Sequence, residues 1–201
     1  MASDVETEAR VLAAAARWSD LTALALRAYG PELLEYLCAI GRSETDGGDA
    51  FAQLSVDLWR GLPGFRWDAS LRTWCYTLAR HALVRLQRSP ARRRTVALES
   101  AELAELAVQI RTRTITHLRS EVKDRVRELR TKLSPRDQSI LVLRIDRNLA
   151  WRDIARVLAD EDATLTEHEL VRTAAALRKA FERIKHELRA LAEAEGLGSA
   201  G

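Results

Sequence analysis

Apolar residues recur along most of the chain at the three- and four-residue spacing of amphipathic helices. In the N-terminal half, this pattern predicts helices over residues 5–18, 21–26, 31–40 and 50–62. Pro31 suits the first turn of the third of these. Gly47-Gly48 and the acids around it predict a loop over residues 41–49. Strand-forming residues are sparse, so we predict an all-α protein.

The segment after residue 70 is predicted to be a further amphipathic helix. Its apolar face is expected to consist of Leu71, Trp74, Cys75, Leu78 and Ala82. The other side is expected to carry Arg72, Thr73, Tyr76, Thr77, Arg80 and His81. This second set combines cations with an aromatic ring and hydroxyl groups, which is a composition suited to phosphates and unpaired bases.

The C-terminal half shows a short helix, a turn and a longer basic helix. We expect residues 110–133 to be helical, with core positions at Ile115, Leu118, Val122, Val126, Leu129 and Leu133. Ser134 is a predicted N-cap, and Thr166 with Glu169 forms a predicted capping box. Apolar positions of the last helix are Leu170, Ala174, Leu177, Phe181, Ile184, Leu188 and Leu191. This order is typical of a helix-turn-helix motif.

Charge is distributed unevenly along the chain. The formal net charge is only +3, but residues 60–94 contain nine arginines and a single acid, Asp68. A solvated helix face normally mixes the two signs, so this stretch favours a polyanionic partner.

Several classes of function lack support in the sequence. The two cysteines, Cys38 and Cys75, have no C-x-x-C spacing and are interpreted as core thiols. The four histidines have no metal-ligand spacing, and the sequence contains no phosphate-binding glycine loop or nucleophile motif. We therefore expect a non-enzymatic protein without cofactors. No apolar stretch reaches the length of a membrane span, so we expect a cytoplasmic protein without membrane insertion.

Two segments resemble a known family. Leu58-Trp-Arg-Gly-Leu-Pro-Gly-Phe65 and Ser70-Leu-Arg-Thr-Trp-Cys-Tyr-Thr-Leu-Ala-Arg80 resemble the second conserved region of extracytoplasmic-function sigma factors, within the sigma-70 family. Leu133-Ser-Pro-Arg-Asp-Gln138 and Trp151-Arg-Asp-Ile-Ala-Arg-Val-Leu158 resemble the fourth region. The two matches occur in the family's order and together cover most of the chain.

The resemblance implies partners and roles. Such proteins bind bacterial core RNA polymerase, through its β′ clamp and β subunits, and promoter DNA. Polymerase-binding roles are implied for Gln53, Asp57 and Arg60. Roles at the minus-ten element are implied for Arg66, Trp67, Asp68, Ser70, Arg72, Thr73, Tyr76, Arg80 and His81. Roles at the minus-thirty-five element are expected for Arg172, Thr173, Arg178 and Lys179 on the last helix.

The sequence also departs from the family's pattern. His81 stands where the family usually has asparagine, and Ala52-Gln53 stands where a Gln-Glu pair is customary. The turn over residues 159–165 is longer and more acidic than usual. Many members are held by an anti-sigma factor, but no residue here identifies one.

We predict two small helical domains joined by a linker. Residues 1–88 form the region-2-like domain, residues 89–109 the linker, and residues 110–201 the helix-turn-helix domain. The predicted function is promoter-specific initiation together with core polymerase. The main alternative is a helix-turn-helix regulator that binds DNA unaided, and a third is a helical adaptor. Neither alternative requires the cationic, aromatic segment from Trp59 to Arg80.

Overall fold

The chain divides into two compact units, Met1–Ser120 and Glu121–Gly201, in a computed structural model. The structure describes residues 2–88, 98, 100–120, 125–161 and 163–195. Within these ranges the regular elements are helices and there is no strand. The prediction of an all-α protein is therefore confirmed.

The first unit is built around a long central helix. Its helices are α1 (Ala2–Ala14), α2 (Trp18–Gly41), α3 (Glu44–Gly61), α4 (Leu71–Arg88) and α5 (Ala101–Ser120), with a short 3-10 turn at Leu62–Gly64. All four other helices pack against α2, and α3 also packs against α4 and α5. The core of this unit therefore surrounds α2.

Pro31 lies inside α2, so the prediction that it occupies a first turn is wrong. The proline ring is exposed, and buried leucines continue on both sides of it, at Leu26 and at Leu33 and Leu34. Burial of these side chains outweighs the backbone hydrogen bond that proline cannot make.

Helix α3 begins at Glu44, within the segment predicted to be a loop. Ser43 caps it, because its Oγ accepts a hydrogen bond from the Asp46 amide at 3.1 Å. The glycines serve helix packing rather than a turn. A Cβ on Gly47 would lie 2.9 Å from the Cα of Cys38 on α2. Two helix backbones can approach this closely only if the side chain is absent.

Helix α4 has two buried sides, because it packs against both α2 and α3. Its buried residues are Leu71, Thr73, Cys75, Tyr76, Ala79, His81, Ala82 and Leu83. The predicted apolar face is confirmed at Leu71, Cys75 and Ala82, whereas Trp74 and Leu78 are only half-buried. The prediction that α4 buries a single apolar face is therefore wrong.

Helix α5 belongs to the first unit, which moves the predicted domain boundary. Its buried residues are Leu103, Ala107, Ile110 and Thr114. A Cβ on Gly30 of α2 would lie 3.1 Å from the Cδ1 of Ile110, which shows how closely the two helices pack. The predicted start of the second domain at residue 110 therefore falls within a first-unit helix. Residues 89–97 and 99 of the predicted linker lie outside the described residues.

The predicted apolar stripe of residues 110–133 is divided between the two units. Ile115 and Leu118 are half-buried on α5, while Leu129 and Leu133 are buried in the second unit. Val122 and the Val126 side chain lie outside the described residues.

The second unit is a set of short helices on one long helix. They are α6 (Arg125–Thr131), α7 (Pro135–Leu141), which continues as a π-helical turn at Val142–Asp146, α8 (Trp151–Val157) and α9 (Glu167–Ala194). Helices α6, α7 and α8 all pack against α9. Of the predicted stripe on α9, Leu170, Ala174, Leu177, Phe181 and Ile184 are buried, and Leu188 and Leu191 are half-buried.

Both predicted caps of the second unit are present. Ser134 Oγ accepts a hydrogen bond from the Asp137 amide at 3.1 Å. Thr166 Oγ1 accepts from the Glu169 amide at 3.3 Å, and the Thr166 amide donates to Glu169 Oε2 at 2.8 Å. The hydrogen bonds from the Thr166 backbone and side chain lower the pKa of Glu169. These caps fix where α7 and α9 begin.

Candidate nucleic-acid and protein interfaces

One side of α3 carries three polar residues spaced by four and three positions. Gln53 Nε2 donates to Asp57 Oδ1 at 2.7 Å, and the other Asp57 oxygen pairs with Arg85 of α4. Gln53 and Asp57 are half-buried, and Arg60, one turn further on, is exposed. The structure thus places all three predicted polymerase-binding residues on one face.

The loop between α3 and α4 presents aromatic rings beside charged groups. Phe65 stacks on Trp74, with ring centroids 4.6 Å apart, and also contacts Trp67 at 4.7 Å. Arg66 is well exposed and pairs with Asp68, with its Nε 3.2 Å from Asp68 Oδ2. Such an exposed pair is weak, so the Arg66 guanidinium can readily exchange its partner for a phosphate.

Trp67 adopts an unusual backbone conformation within this loop. Its φ is 61°, in the left-handed region that bulky residues rarely enter. The guanidinium carbon of Arg10, on α1, lies 4.5 Å from the centroid of the Trp67 ring. Contacts with Phe65 and Arg10 therefore hold the ring on both the loop side and the α1 side.

The N-terminus of α4 is capped by two residues. Ser70 Oγ accepts from the Thr73 amide at 3.0 Å, and the Ser70 carbonyl accepts from Trp74. The carboxylate of Glu6, on α1, accepts from the amides of Leu71 at 3.0 Å and Arg72 at 3.2 Å. All four N-terminal amides of α4 therefore have acceptors.

Arg72 is held inside the first unit by Glu32 of α2. Its Nε and Nη2 donate to the two oxygens of Glu32 at 2.7 and 2.8 Å. These hydrogen bonds raise the pKa of Arg72 above its ordinary value. The guanidinium also lies over the Tyr76 ring, 5.7 Å from its centroid. A bidentate pair with a single carboxylate orients Arg72 firmly.

Several predicted minus-ten residues are not on the surface. Thr73, Tyr76 and His81 are buried, and the Tyr76 ring packs edge-on against Tyr36 at 5.4 Å. The expectation that they share an exposed face with Arg80 is therefore wrong, because that side of α4 packs within the unit.

The other predicted minus-ten residues are more accessible. Arg80 is half-buried. Arg66, Asp68 and Ser70 are exposed, and Trp67 is half-buried.

On α9 the predicted minus-thirty-five residues lie around the exposed side. Arg172, Arg178 and Lys179 are exposed and Thr173 is half-buried. Arg172 and Lys179 are two turns apart, opposite the buried stripe. Among the described residues, Arg178 and Lys179 have no ion-pair partner, whereas Arg183 further along α9 donates to Asp137 at 2.8 Å. Cations without such partners are available to phosphates.

A shallow cleft of 350 Å³ separates α7 from α9 in the second unit. Thr173 lies in its wall, together with Ser134, Arg136 and Asp137. Thr173 therefore faces the flank of α9 towards α7, unlike Arg172.

Both cysteines are free thiols in the first unit. Burial raises the pKa of Cys38 to about 11 and raises the pKa of Cys75 as well. Neutral thiols at these positions are consistent with the predicted packing role.

Sequence reasoning missed the residues that support the predicted site from other helices. Residues predicted to bind DNA or polymerase are contacted by Glu6, Arg10, Glu32 and Arg85. Glu6 is 65 positions from Leu71, and no local pattern signals such a pairing.

Two negative findings apply to the described residues alone. They contain no group of three or more histidine, cysteine or acidic residues arranged to hold a metal ion. None of their helices combines the length and the hydropathy needed to cross a membrane.

One curated protein resembles the chain over much of its length. The chain is 29% identical over 136 residues to the RNA polymerase sigma factor YlaC of Bacillus subtilis (strain 168), covering 66% of this chain and 76% of the relative. No family model matches the chain. No solved structure matches it either. The chain is therefore similar in sequence to an RNA polymerase sigma factor, and its all-helical fold and the order of its motifs agree with that similarity.

Proposed function

We propose that the chain is an RNA polymerase sigma factor, which binds bacterial core RNA polymerase and directs it to promoters with a minus-ten and a minus-thirty-five element. The observation that carries the proposal is the presence of two separate polar surfaces on two helical units. One lies on α3 and the 65–70 loop, and the other lies on the exposed side of α9.

Polymerase binding is assigned to the α3 face formed by Gln53, Asp57 and Arg60. Arg60 supplies an exposed cation, whereas Asp57 is engaged with Gln53 and Arg85. Arg60 is therefore the residue whose charge can be changed with least effect on folding. The clamp and β subunits of the polymerase are the proposed contacts.

Minus-ten recognition is assigned to the 65–70 loop rather than to the middle of α4. Arg66 offers a cation for phosphate, and the cluster of Phe65, Trp67 and Trp74 offers ring faces. Unpaired bases stack on aromatic rings, with about 1–3 kcal/mol contributed per base. This surface is supported from beneath by Arg72, Thr73, Tyr76 and His81. Arg80 lies half-buried at its edge.

Minus-thirty-five recognition is assigned to α9 as the second helix of the helix-turn-helix motif. Arg172, Arg178 and Lys179 supply cations, and Thr173 supplies a hydroxyl on one flank. Phosphate contacts position such a helix and base-edge contacts give it specificity.

Promoter use tests the proposal directly. We would add the purified chain to sigma-free core polymerase, transcribe fragmented genomic DNA of the source organism, and map the transcript starts. The expected result is a set of starts that share two upstream elements and that require the chain. Unchanged start sites with and without the chain would contradict the proposal.

The stand-alone regulator remains the competing function, and the helix-turn-helix of the second unit is the observation that favours it. It predicts tight binding of duplex DNA by the isolated chain. Our proposal predicts weak binding that falls steeply with salt, because each neutralised phosphate adds about 0.9 to the log-log slope. Two DNA-binding surfaces bind well together only when a scaffold holds them at the right separation.

A further inference from the structure

Helix α1 contacts the 65–70 loop and the start of α4 through two side chains one turn apart. Glu6 accepts the amides of Leu71 and Arg72, and Arg10 lies over the Trp67 ring. Ala9, between them, is fully buried, and α1 packs on α2. The core of the first unit therefore fixes the position of α1, which carries both side chains.

The Glu6 carboxylate occupies the place that an anion takes at a helix N-terminus. Free amides and the helix dipole make such an end attractive to phosphate. Here the Glu6 carboxylate accepts hydrogen bonds from the first two amides of α4. The Oγ and the carbonyl of Ser70 accept from the next two. A nucleic-acid phosphate therefore finds no free amide there and meets a negative charge instead.

Helix α1 also stabilises the unusual conformation of the 65–70 loop. Trp67, with its φ of 61°, is held between the Phe65 ring and the Arg10 guanidinium. Residues in this backbone region persist only where the surroundings fix them. Because Glu6 fixes one end of the loop and Arg10 fixes its central ring, α1 determines where the ring faces of the loop point.

We propose that Glu6 and Arg10 are positioning residues for capture of the unpaired promoter strand. This inference rests on the proposed function of the 65–70 loop. Glu6 keeps phosphate away from the α4 N-terminus and orders the loop, and Arg10 holds Trp67 in place for the bases. Neither residue contacts the strand itself.

The test compares Glu6→Gln with Glu8→Gln in the reconstituted holoenzyme. Glutamine preserves the size of residue 6 but has only one acceptor oxygen, whereas Glu8 is an exposed acid on the same helix. Affinity is measured for a single-stranded oligonucleotide that carries the non-template minus-ten sequence of a mapped promoter, and for a scrambled one. Core polymerase affinity and thermal unfolding are measured in parallel.

We expect Glu6→Gln to bind the promoter strand about tenfold more weakly, because the loop is less ordered. It should also discriminate less against the scrambled strand, because the negative charge that keeps phosphate from the α4 N-terminus is lost. Glu8→Gln should behave as the wild type, and both should bind core polymerase normally. Arg10→Lys, which keeps the cation over Trp67, should retain more strand affinity than Arg10→Leu.

Three outcomes would overturn the inference. Strand affinity could be unchanged or higher in Glu6→Gln, or it could fall only in proportion to core polymerase affinity, which would indicate general destabilisation. The proposed function fails in a different way, because then the wild-type holoenzyme itself would not distinguish the promoter strand from the scrambled one.

Discussion

Asp57 of α3 and Arg85 of α4 form an ion pair that joins the helix proposed to bind polymerase to the helix that follows the 65–70 loop. Both side chains are partly buried, and Gln53 provides Asp57 with a second partner. Asp57 therefore has a structural role whether or not it also meets the polymerase.

Substitution of Asp57 and Arg60 should separate these roles. Asp57→Ala should lower the free energy of unfolding by about 1 kcal/mol, because it removes the partly screened ion pair with Arg85. Arg60→Glu should leave unfolding unchanged and weaken polymerase binding, because Arg60 is exposed. Denaturant unfolding and a polymerase binding titration measure the two effects. Equal losses of stability in both variants would contradict this division.

The close approach of α2 and α3 predicts a severe effect at Gly47. Gly47→Ala would place a Cβ 2.6 Å from the Sγ and 2.9 Å from the Cα of Cys38, so the helices must separate. We expect a loss of about 1–3 kcal/mol of unfolding free energy, as in overpacked cores. Gly64→Ala is the control, since a Cβ there meets nothing within 4 Å. Similar stability of the two variants would show that the glycine is not needed for packing.

The all-α fold and the C-terminal motif could be predicted because they depend on local signals. Ser134, Thr166 and the stripe from Leu170 to Ile184 act within one or two turns of their own helix. Gly47 could not be placed in this way. A glycine pair indicates a loop by itself, and only the neighbouring Cys38 backbone explains why it is helical.

The candidate site could be predicted in part only. The loop from Arg66 to Ser70 and the α3 face emerged from the motifs, but the buried side of α4 did not. A helix packed against two neighbours buries more than one stripe, and Tyr76 and His81 are polar enough to resemble surface residues. The packing of α5 on α2 also depends on contacts between distant residues such as Gly30 and Ile110.

The cations of α9 should contribute to DNA affinity through phosphate contacts. The double variant Arg178→Ala with Lys179→Ala should weaken holoenzyme binding to the upstream promoter duplex. It should also reduce the salt slope by about 2, roughly one per lost cation. Arg189→Ala, an exposed cation near the end of the same helix, is the control. Equal salt slopes for the wild type and the double variant would argue against phosphate contacts by these residues.

The thiol of Cys38 should react slowly in the folded protein. Its pKa of about 11 leaves little thiolate at pH 8, and Cys75 is fully buried. Because burial raises the folded-state pKa of Cys38, the stability from keeping it neutral is complete below its ordinary pKa of 9.0 and is lost as pH rises towards 11. Alkylation rates from pH 7 to 10, with urea-unfolded protein as the reference, test this. Rapid modification at pH 8 in the folded state would disprove it.

The most direct test of the central claim is gel filtration of the purified chain with sigma-free bacterial core RNA polymerase at physiological salt. We expect the wild type to co-elute with the polymerase and Arg60→Glu to do so much less. Arg113→Glu, which changes an exposed arginine on α5, should behave as the wild type. Separate elution of a folded wild-type chain would contradict the account and favour a regulator that binds DNA without the polymerase.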